Sequence, residues 1–171
     1  MLVAHSMGAG ILMEALRSAA LRGDQRTLRL VSGLILISPD IDVDVFREEA
    51  RSIGTLPQPF VIFGSSHDKV LRLSAALTGQ TARLGSLTDM SRVADLKVTY
   101  MDVRAFSAGN GHFVMGESPA LISLLSQIAQ IQGAFEGDLR NRVGLFPGLV
   151  LTVQNATQVI LRPLTTVNGQ Q

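Results

Sequence analysis

The sequence predicts an α/β fold, a mostly parallel sheet flanked by helices, and three observations carry that expectation. Apolar runs of strand length alternate with longer stretches of helical period, the pattern of strands joined by crossover helices. A tight Ala4-His5-Ser6-Met7-Gly8 turn joins the first apolar run directly to the first helical stretch. The composition, 46% hydrophobic and 17% charged over 171 residues, suits one folded domain with a buried core.

The elements follow in order. Leu2-Val3-Ala4 reads as the end of a short buried strand. A helix runs from Met7 to about Arg22 with apolar positions at Leu12, Ala15, Leu16 and Ala19, and Gly23 closes it. Leu34 to Ile37 is a second strand, stopped by Ser38-Pro39-Asp40. Asp44 is placed to cap a helix carrying Val45, Phe46, Ala50 and Ile53. Pro57 and Pro59 lead into a third strand, Phe60 to Phe63, which stops at Gly64. The loop Ser65-Ser66-His67-Asp68 opens a short helix near Val70 to Leu77. Lys97 to Val103 is a fourth strand, with Val98, Tyr100 and Asp102 sharing a face.

Phe106 to Gly116 reads as a glycine-rich loop and Pro119 to about Ile131 as a helix with proline near its first turn. Past Gln132 the period is broken by Gly133, Gly137, Gly144, Pro147 and Gly148. A soft boundary therefore separates residues 1–132 from a tail, 133–171, that is either loosely ordered or forms short strands at Leu149 to Val153 and Val159 to Leu161.

Composition also excludes several classes of function. The formal net charge is +1 and the basic residues are scattered, so no nucleic-acid partner is expected. No apolar run reaches the roughly 18 residues that span a bilayer. Cysteine is absent, which removes disulfides and thiolate metal sites, and nothing calls for a cofactor or a metal. The compartment is undetermined, because a leader in an upstream segment would not be visible in this chain.

The Ala4-His5-Ser6-Met7-Gly8 turn carries the chemistry. A serine on a sharp strand-to-helix turn presents its Oγ above the sheet, and the N–H of the next residue, Met7, lies at the helix N-terminus where a developing oxyanion is stabilised. Such a turn calls for small residues two positions away, here Ala4 and Gly8, with alanine where glycine is usual. The plainer reading makes Ser6 an ordinary N-cap. Gly8-Ala9-Gly10 lacks both the third glycine of a dinucleotide loop and the Lys-Ser/Thr pair of a phosphate loop.

A serine hydroxyl needs a histidine to take its proton and a carboxylate to orient that histidine, in the chain order serine, acid, histidine. The chain has 3 histidines. His5 lies inside the turn, and His67 shares its loop with Asp68. His112, in Gly109-Asn110-Gly111-His112 after the last predicted core strand, meets the topological demand, against the alternative of an exposed loop histidine. Asp68, following the third strand, ranks first as the acid and doubles as a helix cap. Asp40 is the alternative acid, and Asp40 and Asp42 serve equally as pocket-shaping or capping residues.

With Ser6, Asp68 and His112 in these positions, the chain resembles the esterase/lipase superfamily of α/β hydrolases, and more narrowly a bacterial branch known as a domain of unknown function. The stretches that carry the likeness are Leu2 to Gly8, Ser38-Pro39-Asp40-Ile41-Asp42 with Val45-Phe46, Ser65 to Ser74, Arg83-Leu84-Gly85, and Gly111-His112-Phe113. They cover about residues 1–132. The resemblance implies a cofactor-free acyl hydrolase acting on small-molecule esters through an acyl-enzyme.

It also implies strands that precede the turn and are absent here, so that the chain is the C-terminal portion of the fold. One oxyanion donor would then lie upstream of Met1, a loss worth about 2.7–4 kcal/mol. The Leu2-Val3-Ala4 strand would be an open edge prone to self-association. An impaired hydrolase serving as a binding or assembly module, and a transferase using an acceptor other than water, are the competing functions.

Overall fold

Leu34-Ile35-Leu36-Ile37 has no polar position, and a strand of that kind is stable only with both faces covered. A computed structural model, which describes residues 1–79 and 82–103 and the backbone of 149–155 and 158–163, puts this strand inside the sheet with all of its residues buried. The elements are β1 Leu2–His5, α1 Gly8–Leu21, α2 Gln25–Leu30, β2 Leu34–Ile37, α3 Val43–Ile53, β3 Phe60–Gly64, α4 Lys69–Leu77, β4 Thr99–Asp102, β5 Leu149–Asn155 and β6 Gln158–Pro163. Two 3-10 turns, Leu84–Ser86 and Met90–Val93, lie between α4 and β4.

The strands form one sheet in the order β1-β2-β3-β4-β6-β5. Strands β1 to β4 are parallel in that order, β6 continues parallel beside β4, and β5 turns back antiparallel on β6. The expected α/β class is therefore present as a mostly parallel sheet with flanking helices. Strand β1 ends the order, and Val3 on it is 54% exposed. The loop expected over Phe106 to Gly116 and the helix expected over Pro119 to Ile131 lie outside the described residues.

The helices depart from the sequence expectation in instructive ways. In α1 the buried stripe is Ala9, Met13, Leu16 and Ala19, whereas Ala15 faces solvent. The sheet selects the face holding Met13, because α1 also packs against α3. In α3 the cap is Asp42, which accepts from Asp44 N and Val45 N at 2.8 and 3.3 Å, and Asp44 lies in the first turn. That two-residue shift brings Val43 and Asp44 into the helix, with Val43 buried and Val45 turned outward. Helix α2 was not expected. Asp24 caps it through Thr27 N, 3.0 Å, directly after Gly23 has ended α1 in a left-handed conformation.

The core between the sheet and the α1/α3 layer gathers Met13, Leu36, Phe46, Phe60, Leu84 and Tyr100, with Phe46 and Phe60 edge to face at 5.9 Å. Among these apolar groups α3 also buries Glu49, which is 8% exposed and whose Oε2 has no hydrogen-bond partner among the described residues. Burial, then the charge of Glu14, raises this carboxyl above its ordinary value of 4.5, and Arg17 opposes the shift. A carboxyl whose folded pKa is raised binds its proton more tightly in the native state. Stability therefore falls as pH climbs from 4.5 through the raised folded value, and the penalty is complete only above that value. Glu49→Gln is expected to melt above the wild type at neutral pH, with the two curves converging below pH 4.5. Equal melting temperatures at neutral pH would contradict this.

Candidate active site

Parallel strands carry their C-terminal ends to one edge of the sheet, and chain order alone then brings four polar loops together there. Ser6 follows β1, Asp40 follows β2, Asp68 follows β3, and Asp102 is the last residue of β4. At the usual spacing of adjacent strands, β1 and β3 are about 10 Å apart, a gap that a side chain reaching over β2 would have to bridge. His112, the residue expected to do so, lies outside the described residues.

The turn at Ser6 is held from three sides. Ser6 N donates to Ile37 O at 2.9 Å, which keeps the residue attached to β2 after β1 has ended. Ser6 O accepts from Ala9 N in α1 and from Asp40 N, each at 3.1 Å. Its φ is +51°, a left-handed conformation that costs a non-glycine residue about 1–2 kcal/mol and needs such anchoring. Ser6 is half-buried, while Met7 and His5 are exposed. The expectation that Gly8 must be small is not explained by the described residues, since a Cβ there would meet nothing within 4 Å.

Ser38, which sequence reasoning did not single out, repeats this geometry one strand over. Its φ is +43°, and its N–H reaches across to Phe63 O at 2.8 Å. Unlike Ser6 it is fully buried, with an Oγ that has no partner among the described residues. The sequence signal was slight, an apolar run ending in Ser-Pro.

Asp68 is buried and caps α4, its Oδ1 accepting Leu71 N at 3.0 Å. Its own N–H donates to Ser65 O at 3.0 Å, and Ser65 N donates to Gly85 O at 2.8 Å. His67, beside it, is exposed. Asp40 is engaged differently. Its Oδ1 lies 3.0 Å from Arg83 Nε, and Ser74 Oγ donates to the carboxylate at 3.0 Å. Arg83 spreads further along α4, giving its second nitrogen to Ser74 Oγ at 3.3 Å and Thr78 Oγ1 at 2.8 Å.

A depression of about 520 Å³ opens between α4 and the Leu84–Ser86 turn, lined by Ser66, Arg72, Arg83, Ser86 and Thr88 among others. Neither Ser6 nor Asp68 lines it. Among the described residues no group of His, Asp and Glu is placed to hold a metal ion, and no helix is long and apolar enough to cross a membrane.

The family described as "Alpha/beta hydrolase of unknown function (DUF900)" matches residues 1–128. No curated protein and no solved structure matches the chain.

Proposed function

Because the chain belongs to this α/β-hydrolase family of unknown function, we propose that it is a serine hydrolase that cleaves carboxylic esters through Ser6, His112 and Asp68. The observation that carries this reading is the conformation of Ser6. A non-glycine residue held at φ +51° between a parallel strand and a helix N-terminus is strained for a reason, and presenting Oγ to a substrate is the reason this turn serves. The Asp68 carboxylate supports it, being buried on a loop two strands away.

In this mechanism His112 takes the proton from Ser6 Oγ as the oxygen bonds to the ester carbonyl carbon. The oxyanion is held by Met7 N–H at the start of α1. Collapse breaks the bond to the alkoxy oxygen, which leaves as the alcohol with the proton from His112. Water then repeats the sequence on the acyl-enzyme and releases the carboxylic acid. Asp68 stays ionised and orients the imidazole. No cofactor or metal takes part, the substrate is a small acyl ester, and nucleic acid is no partner, given a net charge of +1.

A second reading, a catalytically silent module that associates through its sheet, has the exposed edge of β1 in its favour. A fluorophosphonate probe separates the two. The folded wild type is expected to be labelled at one site and Ser6→Ala not at all. A soluble, folded wild type that takes no label, or a Ser6→Ala variant labelled as fast as the wild type, would overturn the hydrolase reading.

A further inference from the structure

The stretch Arg83-Leu84-Gly85 lies far from the proposed nucleophile in sequence and has no role in the mechanism above. We propose that Arg83 is a positioning residue, which locks the Ser6 turn to the helix that begins at Asp68. This inference rests on the serine-hydrolase reading.

The chain of contacts is short and continuous. Ser6 O accepts Asp40 N at 3.1 Å, the Asp40 carboxylate lies 3.0 Å from Arg83 Nε, and the Arg83 guanidinium donates to Ser74 on α4 and to Thr78 at its C-terminal cap. Ser74 closes the loop by donating to Asp40. Helix α4 is in turn capped by Asp68. One buried guanidinium therefore connects the loop that grips the proposed nucleophile to the helix that presents the proposed acid.

The backbone around Arg83 follows the same plan. Leu84 N donates to Ile41 O and Gly85 N to Pro39 O, both at 2.9 Å, on either side of Asp40. Gly85 O accepts Ser65 N, so the strap also grips the loop of Asp68. The Nε contact to Asp40 is an ion contact, without the alignment of a hydrogen bond. What a fork of five donors adds over a point charge is simultaneous reach to Asp40, Ser74 and Thr78.

The turn at Ser6 is strained, and a strained residue relaxes when one anchor is lost. Losing the Arg83 side chain leaves the Asp40 carboxylate to Ser74 alone and so loosens the Asp40 N–H that holds Ser6 O. The reacting oxygen is then misplaced.

The rate of fluorophosphonate labelling in the full chain tests this. Arg83→Ala is expected to lower the maximal labelling rate by about 10- to 100-fold, the effect of a displacement near 1 Å, with the half-saturating probe concentration unchanged. Arg83→Lys should recover part of the loss. Asp40→Asn should match Arg83→Ala, and the double variant should be no slower than either. Val93→Ala, which loosens the core elsewhere, should lower the melting temperature and leave the maximal rate alone.

A folded Arg83→Ala that labels at the wild-type rate overturns the proposal. So does an Asp40→Asn loss far larger than that of Arg83→Ala, which would put Asp40 itself at the reacting atoms. If Arg83→Ala does not fold, Arg83→Lys and Asp40→Asn still decide. A wild type that takes no label ends the hydrolase reading alone. The tie is then read from hydrogen exchange at Asp40 N–H, expected at least about 10-fold faster in Arg83→Lys as the opening cost falls. Unchanged exchange overturns it.

Discussion

Gly85→Ala is expected to destabilise the protein by about 3 kcal/mol, the upper end of overpacking effects, and to lower its melting temperature by roughly 6–12 °C. A Cβ at Gly85 would sit 2.6 Å from Leu71 Cδ1 and 2.7 Å from both Pro39 N and Ser38 C. Leu71 can turn its methyl aside, but Pro39 and Ser38 are backbone and can yield only if the loop after β2 moves as a unit. That loop is pinned where it stands, by Ser38 N to Phe63 O and by Asp40 N to Ser6 O. Gly85 itself cannot retreat, because its N–H donates to Pro39 O while its carbonyl accepts Ser65 N and, at 3.3 Å, Tyr100 Oη. Gly10→Ala is the matched control. Among the described residues nothing lies within 4 Å of its new methyl, and inside α1 the change should stabilise by about 0.5–1 kcal/mol. Denaturant midpoints of the two variants give the comparison. A Gly85→Ala midpoint equal to that of the wild type would mean that the strap accommodates a methyl and does not fix the loop.

That strap marks the limit of what the sequence discloses. Strands β2 and β3 could be read almost to the residue, because an apolar run bounded by Ser-Pro or by glycine has few other outcomes in an alternating α/β pattern. Ser6 was legible for a related reason, since its turn is local and its neighbours in sequence are its neighbours in space. The helix faces were less so. The choice between Ala15 and Met13 in α1 depends on α3, and the choice between Asp42 and Asp44 as a cap moves the start of α3 by two residues between two equally good capping side chains. Helix α2, six residues long, carries too short a period to register, and only its Asp24-to-Thr27 cap announces it. Arg83 was visible as a motif and silent as a mechanism. Its partners Asp40, Ser74 and Thr78 are assembled by the crossing of two loops, and no spacing rule connects them. Ser38 is the same case, a left-handed residue whose N–H is held by Phe63 O on the next strand.

Asp68 offers the clearest separation of structure from chemistry. Asn and Asp are equivalent as N-caps, so Asp68→Asn should still accept Leu71 N and leave α4 in place, with little change in melting temperature. Asp68→Ala removes the cap as well and should cost about 1 kcal/mol more. If Asp68 orients His112 as proposed, both variants lose its charge, and both should slow fluorophosphonate labelling by roughly 10³- to 10⁴-fold, on the scale of a triad that has lost its acid. The signature is thus two equal losses of rate beside two unequal losses of stability. A residue acting only as a cap gives the reverse, with labelling normal in Asp68→Asn and reduced in Asp68→Ala only as far as unfolding reduces it. Asp40→Asn completes the comparison. Its carboxylate is already committed to Arg83 and Ser74, so its loss should displace Ser6 and slow labelling by about 10- to 100-fold, well short of the Asp68 effect. If the two rank the other way, the acid of the triad follows β2, and the guanidinium beside it belongs to the machinery it was proposed only to align.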